Sequence, residues 1–193
     1  MAGKNYDFKP DKVRKDILGK LLLTKKQRQT LLRWGLFGAV CLLGLLIQDV
    51  ILCRVSIFDT TTELVPAFIL AVCILQGAES GCLFALTASC LYYFSGSAPG
   101  SFSIPLITAL AVLAAIFRQG YLRKGFPALI MCVLVSMVLY ELAVFGIGLF
   151  LGLTVLPRLA AFLMTAVLST AAVPLIYPIL LSIGKIGGET WKE

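Results

Sequence analysis

The sequence contains no histidine. Without an imidazole there is no Ser-His-Asp triad, no Cys-His dyad and no histidine-ligated metal site. Charge is nearly as scarce. Only 14% of the 193 residues are charged, where a soluble domain carries about a quarter. Hydrophobic residues make up 59% of the chain, and the mean hydropathy is +0.94. A water-facing surface cannot be built from what is left. Between Leu64 and Gly184 the only basic residues are Arg118, Arg123, Lys124 and Arg158, and the only acids are Glu79 and Glu141. Ten of the 17 Lys and Arg residues fall instead within the first 33 positions. The two regions meet different solvents, water first and then lipid.

Several chemical signatures are missing as well. The six cysteines, Cys41, Cys53, Cys73, Cys82, Cys90 and Cys132, include no CxxC pair and sit in or beside apolar runs. They are expected to be small packing residues. No GxxxxGK[ST] loop, no GxSxG elbow and no closely spaced carboxylate pair occurs. The chain is therefore not expected to be an enzyme, and no catalytic residue, cofactor, metal or nucleic-acid partner is assigned. The start of the chain lacks the short apolar core and small-residue cleavage site of a secretory signal. The first apolar span is thus expected to persist in the mature protein.

What is present reads as an all-α, polytopic membrane protein. A helix needs about 20 apolar residues to cross a bilayer. Leu31 to Cys53 meets that length, with Arg33 and Trp34 suited to one interface. Thr60 and Glu63 then have the spacing of a capping box. Leu64 to Phe94 is long for one span and short for two. Gln76, Gly77, Glu79, Ser80 and Gly81 interrupt it and predict a turn between two short helices, 64–76 and 81–95. Further helices are expected over 102–117, 126–153 and 158–184, with 118–125 as a polar loop and Pro174 and Pro178 in the last helix.

Basic residues near span ends stay in the cytoplasm. Six spans leave only Arg54 and Arg158 on the outer side, whereas five spans would place six basic residues there. Six transmembrane helices, two of them short, with both termini cytoplasmic, are therefore expected. The division is a basic cytoplasmic tail over 1–30, a membrane domain over 31–186 and a cytoplasmic C-terminus over 187–193.

Particular residues draw attention. Glu79 reads as solvated in the cytoplasmic turn, and Asp49 either reaches the outer interface or faces partner helices. Glu141 falls near the middle of the 126–153 helix, where an ionisable group is costly. It is either functional, in mechanism or assembly, or a satisfied packing residue. Met137, Glu141, Phe145, Gly148 and Gly152 lie on one helical stripe, and the last two form GxxxG. That stripe is expected to face protein, another helix of the chain or a partner. Thr108, Ala111 and Ala115 form a second small-residue face, and Ala161, Thr165, Ser169 and Ala172 a third. In the tail, Val13, Ile17, Leu18, Leu21 and Leu22 recur at helical spacing among Lys12, Arg14, Lys15 and Lys20. This fits an amphipathic helix on anionic lipid. A solvated tail is the alternative.

The order of these features resembles a known family. A Pro-led short helix (VPAFILAVCILQGAESGCLFAL) precedes a second one that ends in a Gly/Pro loop (LYYFSGSAPGSFSI). A charged loop, a long helix carrying a Glu (MVLYELAVFGIG) and a final helix with proline follow. The pattern is similar to that of the bacterial rod shape-determining protein MreD over roughly residues 31–186. Ala67, where many members have an acidic or amide residue, departs from it, as does the long tail. The resemblance implies a non-catalytic scaffold of lateral cell-wall synthesis in the bacterial cytoplasmic membrane. Its implied partners are an MreC-like membrane protein, a RodA-type glycosyltransferase, a penicillin-binding transpeptidase and the actin-like MreB, besides the lipid bilayer. The family is similar in fold to the substrate-binding subunits of energy-coupling-factor transporters, which supplies the alternative of a vitamin-uptake subunit.

Overall fold

A computed structural model describes residues 25–54, 60–121 and 125–186. The tail through residue 24, with Lys12, Arg14, Lys15 and Lys20, and residues 187–193 lie outside the described residues. Those described are helical, connected by turns. In chain order the helices are α1 (Lys25–Val50), α2 (Leu64–Gln76), α3 (Ala78–Phe94), α4 (Ser103–Tyr121), α5 (Phe126–Phe150), α6 (Leu159–Ala171) and α7 (Val173–Gly184).

Three of these, over Gln27–Val50, Ser103–Gly120 and Phe126–Phe150, are long and apolar enough to cross a membrane. The bent pair α6 and α7 makes a fourth if it is one span. The bend is 42° and falls just before Pro174, which has no N–H for the helical ladder. The helix expected over 158–184 is thus two pieces.

The region 64–94 folds back on itself. Gly77 carries φ +91° between α2 and α3, a left-handed value that side chains bearing a Cβ avoid. One residue therefore makes the turn that the sequence spreads over 76–81. Residues at similar distances on either side of Gly77 meet. A Cβ placed on Gly81 would touch the backbone of Cys73 at 2.8 Å, and the Phe68 and Phe84 rings are 6.2 Å apart. In one continuous helix those two phenylalanines would be about 24 Å apart along the axis. The pair is an antiparallel hairpin, and its open ends also meet, through Tyr92 and Glu63.

This hairpin sets the order of the bundle. Every residue of α2 from Val65 to Leu75 is buried, and α2 packs against all the other described helices. Around it sits a core of Phe37, Ala85, Ile107, Ala111, Leu129, Val133, Met137 and Ala166, each no more than 1% exposed. By contrast, Leu83, Leu113, Met131, Phe150 and Leu175 point outward and are more than half exposed. Apolar side chains cover the outside as well as the inside, as a lipid-facing surface requires. One end of the bundle gathers the hairpin tip, the end of α4 at Gln119 and the end of α7 at Gly184. The other gathers the end of α1, the start of α2 and the end of α3.

Candidate functional site

The short length of α2 creates the site. Its 13 residues rise about 20 Å, less than the roughly 30 Å of a hydrocarbon core. Both ends therefore stop inside the protein, with backbone groups that their own helix cannot pair. Other helices supply the partners. At the start, Gln48 of α1 accepts from the Val65 N–H at 2.9 Å, and Ser169 of α6 accepts from the Glu63 N–H at 2.8 Å. At the far end, Arg118 of α4 donates to the Ile74 carbonyl at 2.8 Å.

Two sequence expectations change here. Glu63 caps α2 by position but makes no side-chain capping bond, so the Thr60/Glu63 capping box does not form; the remote Gln48 and Ser169 do that work. Arg118 is not in a solvated loop. The helix runs one turn past the apolar stretch, to Tyr121, and this turn carries Arg118 inward to 6% exposure.

The start of α2 gathers more than its caps. Tyr92, at the end of α3, donates to the Glu63 carboxylate at 3.2 Å. Tyr140 and Glu141 of α5 come to the same place, with Glu63 within electrostatic reach of both. Gln48, Tyr92, Tyr140, Glu141 and Ser169 are each at most 4% exposed, while Glu63 is half-buried. Five helices thus converge on a polar cluster inside an apolar bundle. Within it, the Tyr140 hydroxyl and Glu141 Oε1 are buried with no hydrogen-bond partner among the described residues. Chemically the cluster offers two carboxyls, two phenol hydroxyls, an amide and a serine hydroxyl.

Of the stripe expected on α5, Met137, Glu141 and Phe145 are buried against the chain's own helices. Phe145 stacks edge-on with Phe162 of α6, centroids 5.4 Å apart. Gly148 and Gly152 behave differently. The helix ends at Phe150, so Gly152 lies beyond it, exposed, with φ +70°. The Leu153 N–H donates to the Gly148 carbonyl at 2.8 Å and the Gly152 N–H to that of Leu149 at 3.1 Å. These two bonds are a Schellman cap, with its glycine at the left-handed position. The spacing read as a helix-contact GxxxG is that of a helix stop. A Cβ on Gly148 would meet the Thr154 side chain at 3.2 Å, in its own turn, not another helix.

The remaining expectations are placed as follows. Glu79 is exposed in the first turn of α3. Asp49 is exposed and accepts from the Ser97 hydroxyl. Ala111 and Ala115 are fully buried, and Thr108 lies 3.3 Å from the Ser89 hydroxyl of α3. Thr165 and Ser169 are buried, with Ala161 and Ala172 at the edges of their face. Cys41, Cys73, Cys82, Cys90 and Cys132 are free thiols, as packing residues would be. Sequence reasoning passed over Gln48, Tyr92 and Tyr140. Gln48 had a visible signal, an amide inside an apolar helix, of the kind that bonds across helices. The tyrosines had none, because a phenol in an apolar run looks like any aromatic.

No protein-family model, curated protein or solved structure matches this chain.

Proposed function

We propose that the chain is a non-catalytic, multi-pass scaffold of the bacterial wall-elongation machinery, of the MreD type. The observation that carries this reading is the α2–α3 hairpin, two short apolar helices turned at Gly77 in the centre of the bundle. It is one of the elements, with the charged loop and the Glu-bearing and Pro-bearing helices, on which the sequence resemblance rests. Six crossings follow when α2 and α3 each count as one, with α6 and α7 together as the last. The hairpin tip and the ends of α4 and α7 then share the cytoplasmic side with both termini, as the basic residues favour. An open apolar groove of about 480 Å³ between α4 and α5, lined by Leu113, Phe117, Met131 and Leu139 among others, suits contact within the membrane and supports a binding role.

Affinity purification from mild detergent tests this. Recovery of an MreC-like protein and wall synthases is the expected result, and depletion should round or widen rod-shaped cells. The polar cluster at the start of α2 favours a second reading, a substrate-binding subunit of an energy-coupling-factor transporter, since such a subunit needs convergent polar groups. Recovery of a transporter ATPase pair, with normal cell shape and loss of a vitamin's uptake, would replace the first reading by the second.

A further inference from the structure

The geometry points to a binding site for one small monovalent cation, of sodium size, between Glu63 and Glu141. This goes beyond a scaffold role and is independent of which proteins assemble with the chain. Glu63 stands just before α2 and Glu141 lies on α5, within electrostatic reach of one another. Neither makes an ion pair with any described residue; the Glu63 carboxylate accepts from Tyr92, and Tyr140 lies within electrostatic reach of both. Two ionised carboxylates do not share a dry site unless a proton or a cation lies between them. Among the described residues the buried cation is Arg118, and it is committed to the opposite end of α2.

Two atoms are left over at this place. Glu141 Oε1 and the Tyr140 hydroxyl, in residues only 2% and 1% exposed, have no hydrogen-bond partner among the described residues. Buried polar atoms are almost always satisfied, and an unsatisfied one costs about 1–3 kcal/mol. A ligand that accepts lone pairs from both, and from Glu63, removes the deficit. Every donor atom available is oxygen, which selects a hard cation over a thiophilic one. A divalent ion would need six or more oxygens and would bring waters with it. A single monovalent ion and one proton neutralise the two carboxyls. Glu63 is the half-buried member of the set and the one nearest solvent.

The test uses the full chain in detergent. Melting is followed with a thiol-reactive dye, which reports exposure of the buried Cys41, Cys73 and Cys132. Sodium chloride is titrated against N-methylglucamine chloride at constant ionic strength, with potassium chloride in parallel. The expected result is a saturable rise in melting temperature with sodium, smaller with potassium. That rise should be lost in Glu141→Gln and shifted to higher sodium in Tyr140→Phe, which removes one oxygen and keeps the ring. If Glu141→Gln does not fold, Tyr140→Phe and a radioactive sodium-binding measurement on the unaltered chain decide. An equal response to all three cations, no saturable sodium binding, or a sodium response unchanged in Tyr140→Phe and Glu141→Gln would each overturn the site.

Discussion

Helices α2 and α5 solve the same problem in opposite ways. A helix leaves N–H groups at its start and carbonyls at its end without partners, and in lipid no water supplies them. With 25 residues, α5 is long enough, at about 37 Å, to end beyond the hydrocarbon core. Its C-terminus closes on itself with a local cap made by Gly152. The 13-residue α2 ends within the protein and is closed by side chains 17, 44 and 106 residues away in sequence. A local cap ties a helix only to its own turn. Remote caps tie α1, α4 and α6 to α2, so its ends double as joints of the bundle. The charges follow the helix dipole, with Glu63 at the positive start and Arg118 at the negative end.

The contrast predicts that removing a remote cap costs more than removing a local one. Arg118→Leu should have the largest effect. It strands the Ile74 carbonyl in an apolar interior and removes a charged donor, each worth about 2 kcal/mol. We expect a loss of folded protein, read as the monodisperse fraction on size exclusion in detergent. Arg118→Lys should restore part of it, because an ammonium reaches the carbonyl as a point donor without the planar fork. A variant Arg118→Leu as stable as the parent would mean that the carbonyl finds another partner.

Gln48→Leu should come next, at about 1–3 kcal/mol, because it orphans the Val65 N–H while keeping side-chain volume. The two ends of α2 share no side chain, so Gln48→Leu and Arg118→Leu should add in the double variant within about 0.5 kcal/mol. Strong non-additivity in melting temperatures would mean that the ends communicate through α2, contrary to their treatment as separate joints.

The same contrast explains what the sequence could and could not reveal. The extent of α2, Leu64–Gln76, was legible because it is bounded by a charge on one side and Gln-Gly on the other. The hairpin was legible too, from polar residues interrupting an apolar run too long for one crossing. The remote caps were not. Arg118 sits where apolar residues give way to Arg, Gln and Gly, and nothing local says that the helix continues for one more turn. Gln48 stood beside Asp49, the more conspicuous charge, yet Asp49 is exposed and Gln48 is buried. Glu141 was legible as a mid-helix acid, but its neighbours Glu63, Tyr92 and Tyr140 lie 78, 49 and one residue away, and only the fold brings the first two to it. Local patterns report periodicity and turns; pairings across the bundle leave no trace in them.

The smallest effect is expected at Gly152, and it separates the local cap from the partner face first suggested by the spacing. Gly152 has φ +70°, and a Cβ added there would meet nothing within 4 Å. Space is therefore not at issue; backbone conformation is. Gly152→Ala should cost about 1 kcal/mol through left-handed strain alone. Gly152→Asn should cost less, since asparagine visits that conformation more readily. Gly148→Ala brings a Cβ to 3.2 Å from Thr154 Cγ2, so Thr154→Ser, which removes that methyl, should relieve whatever strain it causes. A helix-contact face predicts another order. There, any side chain at either glycine would weaken complex recovery with the melting temperature unchanged, asparagine would be worse than alanine for its size, and Thr154→Ser would rescue nothing. Melting curves for these four variants, set beside recovery of partners in detergent pull-downs, decide between a stop signal for α5 and a surface for a partner.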